Sequence, residues 1–414
     1  MPTSVPRRIL QGHIKPIRWI ALMLALAATG CVNQTIKTVH SEPLETLRAI
    51  PEAELLDVGV HLFDPNVPDD WEEREEGAIL PDVRLAEARY MPQILKATLE
   101  SSGNWGAVRV LPRDTTAVDL VVRASILESN GEKLALAVRV EDATGRVWID
   151  DDYEYLTSRY TYERDGPRGI DPFQPLYTEL ANDILEARQQ LSAGDRLRIR
   201  QIAELRFAEE FAPDAFDGFV EEDRRGNWAL QRLPAESDPM MSRIRRVRDR
   251  EYLFIDTLDE YYSEFRRDMY ESYQDYRRFT YREAVNLREL RAESRRRAIA
   301  GALAVVGGIV AATSDDGYAR SAGAVAVAGG AYTLKSAFDK NAESKIHLEA
   351  IRELGTSLEA EVSPHVFELD DRTITLTGTV DEQYDAWRGI LRDLYESELG
   401  LPLAEAPDAA RSGS

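Results

Sequence analysis

Side chains that could do chemistry are few and scattered through this chain of 414 residues. Cys31 is its one cysteine, so neither an intrachain disulfide nor a paired-thiol redox site can form. There are five histidines, His13, His40, His61, His347 and His365. None has HExxH or paired-histidine spacing, the patterns that hold catalytic or structural zinc. The sequence has no GxSxG elbow, phosphate-binding glycine loop or GxGxxG fingerprint. Carboxylates are abundant, chiefly in Asp69 to Glu76 and Asp150 to Asp152. Two that face each other suffice for glycoside hydrolysis, and a looser set holds calcium. The same runs also suit solvated loops and strand edges. We assign no catalytic residue, no cofactor and no metal, and read each histidine as a surface or core residue.

One aromatic series stands out. Tyr252, Tyr261, Tyr262, Tyr270, Tyr273, Tyr276 and Tyr281 are interleaved with Arg266, Arg267, Arg277 and Arg278. Such a stripe can stack on bases, pack against another helix, form an oligomer interface or bind glycans. A formal charge of −22 argues against nucleic acid, whose phosphates need a basic footprint. Packing against a returning helix, self-association and glycan binding stay open.

The first thirty residues have a different character. Arg7, Arg8, Lys15 and Arg18 precede an apolar run from Trp19 to Ala28 that closes on Thr29, Gly30 and Cys31. This is the order of a secretory signal, and the apolar run is shorter than the roughly 20 residues a spanning helix needs. Ala28-Thr29-Gly30-Cys31 resembles the lipobox of bacterial lipoproteins. The resemblance implies cleavage between Gly30 and Cys31, lipid on the Cys31 sulfur and, with Val32 rather than aspartate next, the periplasmic face of an outer membrane. Removing residues 1–30 takes away four cations and no anion, which moves the charge from −22 to −26.

The elements behind these residues predict an α+β chain. After a tether (31–54), residues 55–162 read as strand, helix, strand and a three-stranded meander. Leu55 to Phe63 is the first strand, Pro65 to Glu76 an exposed loop, and Pro92 opens a helix that stops at Gly103. Ala107 to Leu111 follows. Asp119 to Glu128 and Lys133 to Glu141 form a hairpin through Asn130-Gly131, and Thr144-Gly145 turns into Arg146 to Tyr155. Together with Tyr90-Met91-Pro92 and the Ser102-Gly103-Asn104-Trp105 exit, this order resembles the small periplasmic α/β domains of envelope lipoproteins, among them those of the curli secretion channel, the Tol translocation protein and transporter auxiliaries. The resemblance implies assembly or partner binding rather than catalysis.

Residues 163–241 connect through helices at Leu176 to Leu191 and Arg196 to Phe211, then an irregular stretch containing Phe216, Phe219 and Trp228. Residues 242–362 read as a long helical hairpin. Ser242 to Arg297 has neither glycine nor proline, so an unbroken helix there is roughly 80 Å long. Its apolar stripe is interrupted by Glu251, Thr280 and Ser294. Within 298–334 lies an internal repeat: at an offset of 22, Ala300 to Gly308 and Ala322 to Gly330 agree at seven of nine positions. Ala300, Ala304, Gly308 and Ala312 share one helical face, as do Ala322, Ala326 and Gly330, and small residues at that spacing let backbones approach closely. The hairpin turns at Asp315 to Tyr318 and returns through Lys335 to Ala360. Residues 363–402 read as strand, turn, strand and a helix from Asp381, with Thr379 and Glu382 at capping-box spacing. Residues 403–414 form a tail.

Three functions fit these features. The first is a non-enzymatic, lipid-anchored scaffold that binds an envelope protein and self-associates through the hairpin. The second is a membrane-inserting or channel-forming component using the Gly/Ala hairpin. The third is a periplasmic hydrolase with a carboxylate pair.

Overall fold

Alternating apolar residues build a five-stranded sheet from β1 (Val58–His61), β2 (Val108–Leu111), β3 (Leu120–Ser129), β4 (Lys133–Asp142) and β5 (Val147–Leu156), in the order β2-β1-β3-β4-β5. β1 runs parallel to β2 and β3, and β3, β4 and β5 form an antiparallel meander. The computed structural model describes residues 43–45, 50–77, 79–162, 170–309, 349–353, 365–369, 372–376 and 378–398. The lipobox, Ala312, Ala322, Ala326, Gly330, the turn at Asp315 to Tyr318, His40, His347 and the tail lie outside them. The architecture is mixed α/β, as expected, with one five-stranded sheet and one very long helix.

Parallel strands need a crossover, supplied between β1 and β2 by α2 (Pro81–Ser101). The expected helix start at Pro92 is wrong. Pro81 stands in the first turn and Pro92 is buried mid-helix. A proline there has no N–H for the carbonyl four residues back. That carbonyl, Ala88 O, accepts instead from Phe63 N at 3.0 Å, just past β1. The proline thus frees an acceptor that ties the helix to the strand. At the other end Gly103 takes φ 64° and Ser102 N–H returns to Leu99 O, the expected glycine stop.

The acidic run is also not all loop. Asp70 Oδ1 accepts from Glu72 N (2.7 Å) and Glu73 N (3.2 Å), starting the short helix α1 (Trp71–Glu76). The β3–β4 hairpin falls where expected, but its glycine serves another purpose. Asn130 Oδ1 closes the loop by accepting from Glu132 N and Lys133 N, each at 2.8 Å. A Cβ on Gly131 would sit 2.0 Å from Arg277 O and 2.3 Å from Tyr281 N, so the residue is small because a helix backbone lies against it.

That helix is α6 (Pro239–Ile309), 71 residues and roughly 105 Å long. Asp238 Oδ1 caps it by accepting from Met240 N (2.8 Å) and Met241 N (3.3 Å). It runs through Arg295-Arg296-Arg297 without a break and carries Ala300, Ala304 and Gly308 in its last turns. Two of its polar interruptions, Glu251 and Thr280, have partners. Glu251 is buried and accepts from Thr115 Oγ1 and Tyr384 Oη, each at 2.8 Å, while Thr280 Oγ1 donates to Tyr276 O at 3.0 Å. Within the tyrosine stripe, Tyr273 packs against α2 and Tyr281 against Tyr162 beside the hairpin. Tyr273 Oη donates to Glu87 at 2.5 Å, Tyr90 meets Tyr273 edge-on at 4.9 Å, and Tyr281 lies 5.3 Å from Tyr162.

The connecting region contains α3 (Gln174–Gln189), α4 (Ala193–Phe211) and α5 (Pro213–Phe216). Ser192 and Asp195 cap α4 reciprocally. The stretch read as irregular includes a hairpin, β6 (Val220–Glu222) with β7 (Trp228–Leu230), turned by Gly226 at φ 84°. Further on, β8 (His365–Leu369) pairs with β9 (Arg372–Leu376) and leads to α7 (Val380–Glu398). Its predicted capping box is present: Thr379 N donates to Glu382 Oε2 (2.9 Å) and Glu382 N to Thr379 Oγ1 (3.3 Å). Trp387 stacks on Phe254 of α6 at 5.4 Å. Of the expected return helix, 349–353 is helical and Ile351 is buried. One hydrophobic core runs from Leu56 to Tyr395.

Candidate functional site

Strand residues alternate between two faces. Val122, Ala124 and Ile126 of β3 and Leu134, Leu136, Val138 and Val140 of β4 belong to the buried face, where α2 packs on β1 and β3 and α3 on β5. α6 lies beside α2, fixed by polar groups that are themselves enclosed. Asp259 accepts from Gln93 Nε2 at 2.5 Å and pairs with Lys96, and Glu87 accepts from Ser129 Oγ at 2.6 Å as well as from Tyr273. Arg277 is 1% exposed, its Nη1 donates to Asp171 Oδ2 at 2.7 Å, and its guanidinium lies 3.9 Å from the Tyr273 ring. Asp171 and the surrounding ring oxygens hold that guanidinium charged despite its burial.

The intervening residues point to the other side, where a groove of about 730 Å³ runs across β1, β3, β4 and β5. His61, Arg123, Ser125, Arg139, Asp150 and Asp152 line it, along with Asp64, Asp114 and Asp151. Arg123, Arg139 and Asp150 are register partners on successive strands. The two arginines lie side by side because each has its own carboxylate: Arg123 Nη2 to Asp114 at 2.5 Å, and Arg139 to Asp150 (2.7 Å) and Glu141 (3.0 Å). Asp64 is occupied by Ser125 Oγ (3.2 Å) and Asn66 N (2.9 Å). Arg123 also helps hold Asp114 below the ordinary carboxylate range, with the Arg123 hydrogen bond as the leading cause acting against burial.

His61 lies in the wall of this groove, 9% exposed. Burial first and Arg123 second lower its pKa from 6.5 to about 4, so the ring is neutral at neutral pH. Nε2 is 3.1 Å from Asp114 Oδ1 without hydrogen-bond geometry, a contact between a neutral ring and a carboxylate rather than an ion pair. Ser125 and His61 are directed at different carboxylates, Asp64 and Asp114.

Of the acidic runs singled out in the sequence, the structure places Asp150 to Asp152 on the groove and Asp69 to Glu76 on α1 and the turn before it. His365 lies on β8, in a separate two-stranded sheet. Sequence reasoning missed His61, Arg123 and Arg139 as a group. The available signal was the period-two pattern of β3 and β4, which puts both arginines opposite the valines. A second cleft, of about 220 Å³, lies between Arg146 to Ile149 at the start of β5 and Asp183, Glu186 and Gln190 along α3 and its C-cap. Among the described residues, no group of three or more His, Cys, Asp or Glu could hold a metal ion. Nor, among them, is any helix long and apolar enough to cross a membrane. No protein-family model matches the chain, and comparison with curated sequences and with solved structures finds no similar protein.

Proposed function

We propose that this chain is a non-enzymatic envelope scaffold, anchored by lipid on Cys31 at the periplasmic face of an outer membrane, that binds a partner protein on the open face of its sheet. The asymmetry of that sheet carries the reading. One face is closed by helices from across the chain, while the other presents a polar groove whose charges can be matched by complementary charges on a partner. The chain after Cys31 supports a short tether. Leu44 is already docked, its N–H on Asn182 Oδ1 (2.9 Å) and its carbonyl on Asn104 Nδ2 (2.8 Å), which leaves about a dozen residues, or at most roughly 45 Å, between lipid and body.

Two measurements test this. A photo-crosslinking residue in place of Arg123, in cells, should trap one discrete neighbour, and Cys31→Ala should release the chain from membranes. Failure to trap any neighbour from the groove, with traps recovered from other faces, defeats the reading.

The second reading is insertion of the Gly/Ala hairpin into a membrane or channel. The continuity of α6 through Ile309 favours it, because Ala300, Ala304 and Gly308 then lie in line with a long rod. Gly308→Leu with Gly330→Leu should abolish self-association or membrane retention of the Cys31→Ala chain. If both survive unchanged, close packing by the repeat is refuted.

A further inference from the structure

We infer that the occupant of the open sheet face is an extended protein segment with lysine or arginine at alternate positions, lying along β4 and β5. This rests on the partner-binding reading and adds the chemistry of the partner.

Charge is the first argument. Five aspartates line the groove against two arginines, and the histidine there is neutral. Both arginines are satisfied by carboxylates in place, so the excess is anionic. Asp152 faces the groove with no ion pair among the described residues, while its backbone N–H is taken by Asp151 Oδ1 at 2.8 Å. That bond discourages a partner from pairing along the β5 edge and leaves the face as the approach.

Spacing is the second. Asp150 and Asp152 are two residues apart on one strand, which puts their side chains on the same face roughly 6.7 Å apart. An extended segment repeats its own side chains at that interval, whereas a helix presents neighbours at three and four residues. The groove spans β1 to β5, three strand spacings or roughly 14 Å, enough for one extended chain and its side chains.

The third observation lies beneath the charges. His61 is buried in the groove wall, and its Nε2 has no hydrogen-bond partner although a carboxylate lies 3.1 Å away. An enclosed polar atom without a partner is costly, and its completion by an arriving donor favours binding at this place.

The test uses the full mature chain in detergent and fluorescent decapeptides of alternating lysine and threonine, with a helix-spaced rearrangement of the same composition as comparison. Fluorescence anisotropy at low salt should show the alternating peptide binding at least tenfold more tightly than the rearranged one. Asp150→Asn with Asp152→Asn should remove most of that affinity. Glu236→Gln with Asp249→Asn, which removes equal charge elsewhere, should leave it within twofold. Equal binding of the two peptides, or equal losses from the two charge-matched variants, overturns the inference. So does the absence of binding. The scaffold reading would survive any of these if position 123 still traps a neighbour in cells.

Discussion

The two faces of the sheet carry alternate residues of the same strands, yet they are completed in opposite ways. The closed face is finished from within. Arg277, Tyr273 and Asp259 of α6, more than a hundred residues further along the chain, supply the groups that Asp171, Glu87 and Gln93 of the covering segments need. The open face is finished locally, by Arg123 on Asp114 and Arg139 on Asp150, pairs separated by nine and eleven residues. Buried polar pairs join distant segments because leaving one member alone is expensive, whereas exposed pairs cost little to break and can be exchanged for a partner's charges.

The sharpest way to break this contrast is Arg277→Ala. It leaves Asp171 buried without its cation and should lower unfolding free energy by about 3–5 kcal/mol in urea titrations. Adding Asp171→Asn should recover part of the loss. A single variant as stable as the parent would mean that the closed face does not depend on this pair. Next comes Gly131→Ala. With Arg277 O 2.0 Å from the new Cβ, either the hairpin or α6 must shift, at a cost of about 1–3 kcal/mol.

Protonation distinguishes two buried groups, one at the head of β3 and one in the groove wall, by the sign of a slope. Asp119 is buried where β3 begins, its Oδ2 accepting from Asp57 N at 2.8 Å, and burial raises its pKa from 3.8 to about 7. The folded chain therefore keeps a proton that the unfolded chain releases, and Asp119 makes stability fall as pH rises from about 4 to about 7. His61 on the open face does the reverse. Its pKa is lowered from 6.5 to about 4, so the unfolded chain gains the proton first and stability is lost as pH falls through that window. Each contributes a slope of up to about 1.4 kcal/mol per pH unit, and they oppose each other in the parent. Asp119→Asn should tilt the urea midpoint upward with pH between 4.5 and 6.5, and His61→Gln should tilt it downward. Parallel profiles for the two variants would show that these environments are misassigned.

Smaller effects sharpen the picture. Removing a proline from a helix interior ordinarily gains about 3 kcal/mol. Pro92→Ala should gain less than about 1 kcal/mol, because the new N–H would compete with Phe63 for Ala88 O. Asp150→Asn with Asp152→Asn should change stability by less than about 0.5 kcal/mol, as expected of a face whose charges serve contact rather than folding.

Much of this molecule was legible as a string of residues. Period-two alternation placed the meander, Gly103 and Gly145 marked a helix stop and a turn, and Thr379 with Glu382 set the cap of α7, because each of these is fixed by neighbours a few residues away. The lack of glycine and proline from Ser242 to Arg297 announced the long helix for the same reason. Pro92 misled because its local meaning, a helix start, was overruled by a donor 29 residues earlier, Phe63 N. Gly131 resembled a turn signal and proved also to be a seat for a helix backbone nearly 150 residues later. Glu251 read as a flaw in an apolar stripe until Thr115 and Tyr384 arrived to satisfy it.

The groove was hidden in the same way. His61, Arg123, Arg139 and Asp150 belong to four strands, and only strand order and register bring them into one wall. Local sequence determined the elements and their alternation, since backbone conformation and side-chain period are properties of short stretches. Tertiary structure decided which face would be closed, because that depended on where α2 and α3 packed on the sheet and where a 71-residue helix, starting far down the chain, found partners for its buried polar groups.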